Sequence, residues 1–569
     1  MKGDPSLFFR IALSCLSDGD HTDTSIHYQH QAAEEPVIPL CPANRLSLLD
    51  KYVSTLGIND DARSALRSEV YAACRDALIQ DNIASCDSPV GTGKTTAVMA
   101  HLLTQAEKRR LRRIIVVLPF TNIITQSVQV YRKALVIPGE NPEWVVAELH
   151  HRADFQDIHS RQFTALWKAP IVVTTAVAFF ETLASNTPAT LRRLHNLPGS
   201  AVFIDESHAT LPAKLLSLAW QWINAYAKEW GTYWVLASGS LNRFWKIEEF
   251  DKKGPDIPEI IPQTLHDYVA KCERDRIVYK FKETPLDAGE LVEWVASLPG
   301  PRIVILNTVQ SAAVVALEHE RRFQRPSIEH LSTALTPRDR DKTLARIKLR
   351  LSDTSDTKWT LVATSCVEAG VDLSFKTGVR EAASLVSLLQ TAGRVNRHKH
   401  TRSEPVWTIT LKEAGLLRKH PGMNDSSKVL LELILKGYDI SPDLCTTALK
   451  REIRLAGIFS EALRECEEQL RFPQVERDFR VIASDNRTAV VGEELIRKLE
   501  NHAPVGWRDI QKSSVQVWGY RLDDLRVPEV FGHPGLFKWI YAYDDFIGYM
   551  AGLLPVEAIK SNIGGACVI

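Results

Sequence analysis

Short, continuous apolar runs bounded by polar or small residues recur along two stretches of the chain. In the first stretch, Ile114–Leu118, Ile171–Thr174, Ala201–Ile204 and Trp234–Leu236 read as buried strands, each followed by a helix-like pattern. Strand and helix in alternation argue for a parallel sheet with helices on both faces. A second β/α series begins near Arg276 and contains Arg302–Leu306, Ile328–His330, Thr360–Ala363 and Trp407–Thr410. Two series of similar size imply a duplicated architecture, although no internal repeat is visible in the residues themselves.

The same pattern sets the expected boundaries. One amphipathic helix, Leu7–Leu16, stands near the start, and a single helix cannot bury its own apolar face. It reads as a remnant of something larger or as a docking element. Residues 19–45 are polar and rich in His, Gln, Glu and Pro, a linker composition. The expected segments are 1–45, a first α/β domain over 46–245, a Pro-rich connection over 246–275, a second α/β domain over 276–415, a helical linker over 416–480 and a small C-terminal domain over 481–569.

Composition changes this picture little. The 569 residues are 45% hydrophobic and 24% charged, as in an ordinary globular chain, so a disordered or disulfide-stapled protein is excluded. Sixty-nine basic residues balance 69 acidic ones, so any anion-binding surface must be a local groove. Nine cysteines form no CxxC pair, which suggests neither a disulfide framework nor a zinc ribbon. The apolar runs fall far short of the ~20 residues of a membrane span. The N-terminal residues turn acidic at once and do not read as a signal peptide. A cytoplasmic, multi-domain enzyme without membrane contact is the expectation.

The sharpest chemical signal is Ser88-Pro89-Val90-Gly91-Thr92-Gly93-Lys94-Thr95-Thr96. Gly91 and Gly93 let the backbone wrap a phosphate with its amides pointing inward. Lys94 would reach the β- and γ-phosphates of ATP, and Thr95 would hold Mg²⁺. The start of the following helix favours the anion. Ser88 stands where the first glycine of such a loop is usual. A second signal is Ala201-Val202-Phe203-Ile204-Asp205-Glu206-Ser207-His208, an apolar strand ending in two carboxylates. Alone, such a pair is a solvated turn. Behind a phosphate loop, Asp205 becomes a ligand of Mg²⁺ and Glu206 a general base for water. The third signal is Gln390-Thr391-Ala392-Gly393-Arg394-Val395-Asn396-Arg397. Its two arginines, three apart, would project from one helix face and neutralise a transferring γ-phosphoryl group.

In order from about residue 85 to 400, SPVGTGKTT, VLPFTNIITQS, IVVTTAVAF, FIDESHA, ASGS, VILNTVQSA, VATSCVEAGVDLS and QTAGRVNRHK resemble the motifs of superfamily 2 helicases. VLPFTNIITQS, VEAGVDLSF and the tail strings FRVIASDNRTAVV, DIQKSSVQV and YAYDDFIGYMAGLL are similar to the CRISPR-associated helicase–nucleases of type I interference systems. The resemblance implies two tandem RecA-like domains. Within them, Ser88, Gly91, Thr92, Gly93, Lys94, Thr95, Thr96 and Asp372 would bind nucleotide. Lys94, Asp205, Glu206, His208, Gln390, Arg394 and Arg397 would form the catalytic set. Thr121, Gln126, Thr174, Thr175, Thr308 and Thr364 would contact nucleic acid. Ser365, Glu368 and Asp372 would couple nucleotide state to strand grip, and Ser238-Gly239-Ser240 would link hydrolysis to domain movement. The glutamine usual upstream of the phosphate loop is replaced by Leu66-Arg67-Ser68-Glu69-Val70.

The family resemblance further implies an ATP- and Mg²⁺-dependent translocase on single-stranded DNA, moving 3′ to 5′ and recruited by an RNA-guided CRISPR surveillance complex. An RNA remodeler, or an ATP-gated nucleic-acid clamp that does not unwind, is the alternative. Full-length relatives carry an N-terminal HD nuclease domain. Here Arg10 to Asp20 resembles that domain's last helix, with Asp20 at the place of its final metal-binding aspartate. One carboxylate does not make a metal centre. The chain is therefore expected to be nuclease-deficient alone, with a nuclease lost or encoded separately. His21, Asp23, His27 and His30 lie nearby in linker-like sequence. His266-Asp267 reads as an incidental surface pair. Lys108 to Arg113 reads as a solvated helix end or a phosphate-contacting rim, and His150-His151-Arg152 as structural or near substrate.

Overall fold

The computed structural model describes residues 4–28, 37–56, 62–89, 91–149, 165–250, 254–368, 370–397, 402–457, 461–482 and 485–562. Val90, His30 and the run His150-His151-Arg152 lie outside the described residues. The chain divides into two compact units. The first comprises Met1–Lys271 with Cys445–Ile482, and the second Cys272–Leu444 with Ala483–Ile569.

The first unit is built on six parallel strands: β1 (Ile83–Asp87), β2 (Arg113–Leu118), β3 (Val146–Leu149), β4 (Ile171–Thr175), β5 (Ser200–Ile204) and β6 (Tyr233–Ser238). Their order across the sheet is β1-β6-β5-β2-β4-β3. In β2, Ile114, Val116 and Leu118 enter one core, while Ile115 and Val117 enter the other. Both faces are covered by helices, so the strand is apolar at every position from Ile114 to Leu118. β1 and β3 escape the reading of apolar runs: Ile83-Ala84-Ser85-Cys86-Asp87 is half polar or small and is buried by its neighbours in the sheet.

The N-terminal helix is longer than its apolar stretch and has a partner within the chain. It spans Pro5–His27, so the first third of the expected linker is helical. Leu7 and Ile11 enter the first unit's core. Arg10 is buried, donates to both carboxylate oxygens of Glu467 at 2.9 and 2.7 Å, and lies 4.2 Å from the Phe472 ring centroid. Ser14 donates to the Leu191 carbonyl at 2.7 Å. The helical segment after residue 445 thus folds onto the first sheet's unit, which linear segmentation did not anticipate. Phe8, Phe9, Leu13 and Leu16 occupy the helix's exposed side.

The second unit has strands β7 (Ile277–Phe281), β8 (Arg302–Ile305), β9 (Ile328–Leu331), β10 (Thr360–Ala363), β11 (Thr377–Glu381) and β12 (Glu404–Ile409), all parallel, in the order β7-β12-β11-β8-β10-β9. Position for position this is the first sheet's order, so the duplicated architecture is met. The C-terminal residues add a small sheet of β13 (Asn486–Val490), β14 (Ser514–Trp518) and β15 (Leu536–Lys538). They share one core with the second sheet: Val515, Val517, Leu553 and Leu554 pack in the same cluster as Val304, Leu306 and Val379. The fold is α/β, two tandem RecA-like parallel-sheet domains with helical and C-terminal additions.

Candidate functional site

β1 ends at Asp87, and the chain turns through Ser88–Gly93 into the helix Lys94–Arg109. Gly91 and Gly93 have φ of 93° and 81°, where an L side chain is strained. Thr92 donates its hydroxyl to the Pro89 carbonyl at 2.9 Å and stands 2.6 Å from the Ser88 hydroxyl, which closes the loop on itself. Ser88 donates its amide to the Ser238 carbonyl at 3.0 Å. The helix starts at Gly93 with no side-chain cap. Its first amides are therefore left for an outside acceptor, and the helix dipole favours an anion there.

Asp205 and Glu206 follow β5, with Glu206 in a left-handed conformation at φ 48°. Lys94 Nζ lies 2.9 Å from Asp205 Oδ1 and 3.1 Å from Glu206 Oε1. All three side chains are at most 16% exposed, so this is a buried triad and not a surface ion pair. Burial works against the Lys94 charge, but the two carboxylates outweigh it and raise its pKa. Burial also raises the Asp205 carboxyl, offset in part by Lys94. For Glu206, burial is overcome by Lys94, by His208 and by hydrogen bonds from Lys94 and Ser238, so its pKa falls.

A hydrogen-bond chain continues behind Glu206. Ser238 Oγ donates to Glu206 Oε2 at 3.3 Å and accepts the Ser240 amide at 3.0 Å. His208 Nδ1 is 2.6 Å from the same oxygen, which assigns the ring proton to Nδ1. Burial first, with Lys94 adding and Glu206 opposing, holds His208 down to about 4, so it is neutral near pH 7. The set fits a nucleotide and its metal: a loop with two left-handed glycines, an uncapped helix start, a buried lysine, and Thr95 and Asp205 as oxygen donors for Mg²⁺.

Arg67 is a residue that the sequence reading passed over. It donates from Nε to the Gly91 carbonyl at 2.9 Å, on the loop itself. Its signal was visible as a cation in the segment that replaces the upstream glutamine.

The remaining residues are distributed as follows. Gln126 is exposed on the helix Thr121–Leu135, which Thr121 opens. Thr174 is buried and donates to the Leu149 carbonyl, and Thr175 caps the helix Ala176–Ala184 through the Ala178 amide. Thr96 donates back to the Gly93 carbonyl. Asp20 is exposed on the N-terminal helix with His21, Asp23 and His27. Among the described residues no three His, Cys, Asp or Glu side chains converge to hold a metal. In the run Lys108 to Arg113, Arg109 binds Gln105, Asn82 and three carbonyls, and Arg112 and Arg113 bind the 196–198 turn. Those arginines hold the fold's own backbone.

In the second unit Thr308 caps the helix Val309–Phe323 by accepting the Ser311 amide. Thr364 is buried, Ser365 is exposed, and Glu368 pairs with Arg380 at 2.8 Å. Gln390 lies on the helix Leu385–Ala392. That helix ends before the two arginines, so they do not share a helix face as expected. The chain leaves the helix at Gly393 and pairs with Phe375, and Asn396 adopts φ 49°. Arg394 is buried and donates to the Val367 and Glu368 carbonyls at 2.9 and 2.6 Å. Arg397 reaches Asp372 at 3.3 Å.

Comparison with known proteins agrees with this geometry. Residues 69–224 match the DEAD/DEAH box helicase family model, and residues 300–400 match that of the CRISPR-associated nuclease/helicase Cas3, C-terminal. A CRISPR-associated nuclease/helicase Cas3 from Haloferax volcanii is 23% identical over 491 residues, covering 63% of this chain and 51% of that protein. The chain thus spans about half the length of the curated relative it matches. The crystal structure of T. fusca Cas3 with ATP superposes with a TM-score of 0.62 at 16% identity, covering 89% of this chain and 70% of that one. A chain of a CRISPR RNA-guided surveillance complex, pre-nicking, gives 0.53 at 16% identity, covering 86% and 68%. These two show the shared fold. The family matches fall on the phosphate-loop sheet and on the second sheet, in that order, so the chain is similar to DEAD/DEAH box helicases over the first and to the C-terminal part of the CRISPR-associated nuclease/helicase Cas3 over the second.

Proposed function

We propose that this chain is an ATP-hydrolysing motor that moves along single-stranded DNA, 3′ to 5′, in type I CRISPR interference. The observation that carries the reading is Lys94, held between Asp205 and Glu206 at the mouth of an uncapped glycine loop. A buried lysine held by two carboxylates is a cation that arriving phosphate oxygens can take over. ATP supplies a transferable phosphoryl group, and Thr95 and Asp205 would hold Mg²⁺, which would supply charge neutralisation. Lys94 then turns to the phosphates, which frees Glu206 to orient water and accept its proton. Ser238 and neutral His208 keep the Glu206 carboxylate aimed. Arg394, Arg397 and Gln390 are assigned to a transferring γ-phosphoryl group from the resemblance of their motif alone. Thr121, Gln126, Thr308 and Thr364 are assigned to the nucleic-acid backbone.

The T. fusca protein's ATP complex supports the choice of nucleotide. The surveillance-complex structure supports an RNA-guided partner. No nuclease step is assigned to the described residues, and metal-dependent DNA cleavage abolished by Asp20→Ala would overturn that part. The direct test is steady-state ATP hydrolysis by wild type and Lys94→Ala, with single-stranded DNA, single-stranded RNA or neither. DNA stimulation well above RNA, lost in the variant, is expected. Greater stimulation by RNA points to an RNA remodeler. Hydrolysis without displacement of a 3′-tailed duplex points to a clamp.

A further inference from the structure

The root of the glycine loop is held by a cluster that the hydrolysis reading does not use. After β6 the chain passes Arg243 and returns alongside β1. There Ser85 donates its amide to the Pro258 carbonyl at 2.9 Å, and Ile260 donates to the Ser85 carbonyl at 2.8 Å. This places Glu259 beside the end of β1. Its Oε1 accepts the Asp87 amide at 2.9 Å and its Oε2 the Ser85 hydroxyl at 2.8 Å. Arg243 lies 3.1 Å from Asp87 Oδ2 and 3.7 Å from Glu259 Oε2. His266 Nε2, from the helix Gln263–Arg274, is 3.7 Å from the same Asp87 oxygen. His266 is therefore half-buried against the loop's root and is not the incidental surface residue expected.

Asp87 immediately precedes Ser88. Its amide goes to Glu259, its carboxylate to Arg243, and the next amide to Ser238. Two consecutive backbone donors and one side chain thus fix the direction in which the loop leaves the sheet. We propose that Glu259, with Arg243 and His266, is a positioning group for the phosphate loop, setting where Ser88–Gly93 stand for a nucleotide. The proposal rests on the reading of that loop as a nucleotide site and adds how the connecting segment tunes it.

The charges facing Glu259 are Asp87 on β1, Arg243 after β6 and His266 on the helix. Burial, more than any of these, pushes the Glu259 carboxyl up to about 7, with the Asp87 charge adding and the hydrogen bonds and Arg243 opposing. Asp87 raises His266 above its ordinary value against burial. Glu259 therefore carries its full charge above pH 7 and loses it below. Because its folded pKa lies above the unfolded one, ionisation weakens folding as pH rises through about 7. A neutral glutamine there is not expected to lower the melting temperature at pH 8.

Binding of a fluorescent ATP analogue to the full chain, from pH 6 to 9, tests the proposal alongside amide exchange of Ser88, Gly91, Thr92 and Gly93 without nucleotide. Glu259→Gln is expected to weaken binding roughly fivefold at pH 8, by losing one charge-assisted bond. Faster exchange in the loop and a melting temperature no lower than that of wild type should accompany it. Wild-type binding should weaken as pH falls through about 7, and the variant's should not. His266→Gln should keep that break. Equal affinity and equal pH dependence in Glu259→Gln would overturn the proposal, as would loss of the break in His266→Gln. If wild type fails to bind, or Lys94→Ala binds equally well, the nucleotide reading fails instead. Loop exchange then still reports whether Glu259 holds the loop.

Discussion

The two sheets share one strand order, yet the first turn after the leading strand is built oppositely in each. After β1 the helix begins at Gly93, with no side chain on its free amides. After β7 the corresponding helix, Ala288–Ser297, begins at Asp287, whose carboxylate accepts the Glu290 amide while Glu290 accepts the Asp287 amide. One helix start is open to an outside anion, and the other is filled by its own two carboxylates. The same contrast runs through the acids that follow the central strands. Asp205 and Glu206 after β5 clasp Lys94 at the open helix start. Glu381 at the end of β11 accepts the Asn307 amide and is committed to the backbone. Identical topology thus leaves one helix start open and fills the other, and the choice lies in a handful of side chains at strand ends.

The strongest way to break this comparison is to remove the buried cation. Lys94→Ala should lower ATP hydrolysis on the order of 10³-fold, the scale for losing a charged transition-state contact. It should also lower the melting temperature, because two buried carboxylates lose their partner. Glu206→Gln should cut hydrolysis by ~10²–10⁴-fold, the range for a general base, while ATP-analogue binding persists.

The arginines sharpen the same contrast on the second sheet. Arg394→Ala leaves two buried carbonyls without a donor and should cost about 2 kcal/mol of stability in urea unfolding. Arg397→Ala, whose side chain is partly exposed, should reduce hydrolysis with little change in the unfolding midpoint. A pH test is subtler. His208 is held down to about 4, below its unfolded value. The unfolded chain then binds the proton first, so stability is lost as pH falls from about 6.5 toward 4. His208→Gln should flatten the melting temperature over that window. The smallest effect belongs to the scaffold's own cap. Asp287→Ala should cost about 1 kcal/mol and leave hydrolysis unchanged.

Much of the site was legible because its chemistry is local. Ser88 through Thr96 is contiguous, and so is Ile204 through His208. Both stretches carry their geometry in residue type: glycine for positive φ, carboxylates directly after an apolar run. What escaped was non-local. The acceptor of the Asp87 amide is Glu259, 172 residues on. Arg67 reaches Gly91 from a separate helix, and Arg10 finds Glu467 across almost the whole chain.

The sequence by itself determined the two parallel sheets, the glycine loop and the acidic pair, since apolar runs and local backbone preferences act over a few residues. The tertiary structure alone decided that Lys94 stands between Asp205 and Glu206 and that the N-terminal helix has a buried face. It also decided that Arg394 and Arg397 leave their helix and that the connecting segment grips the loop's root. Each of these depends on which distant groups burial brings within 3 to 4 Å. A buried charge takes the partner that packing supplies, and one chain read in order does not show which one that is.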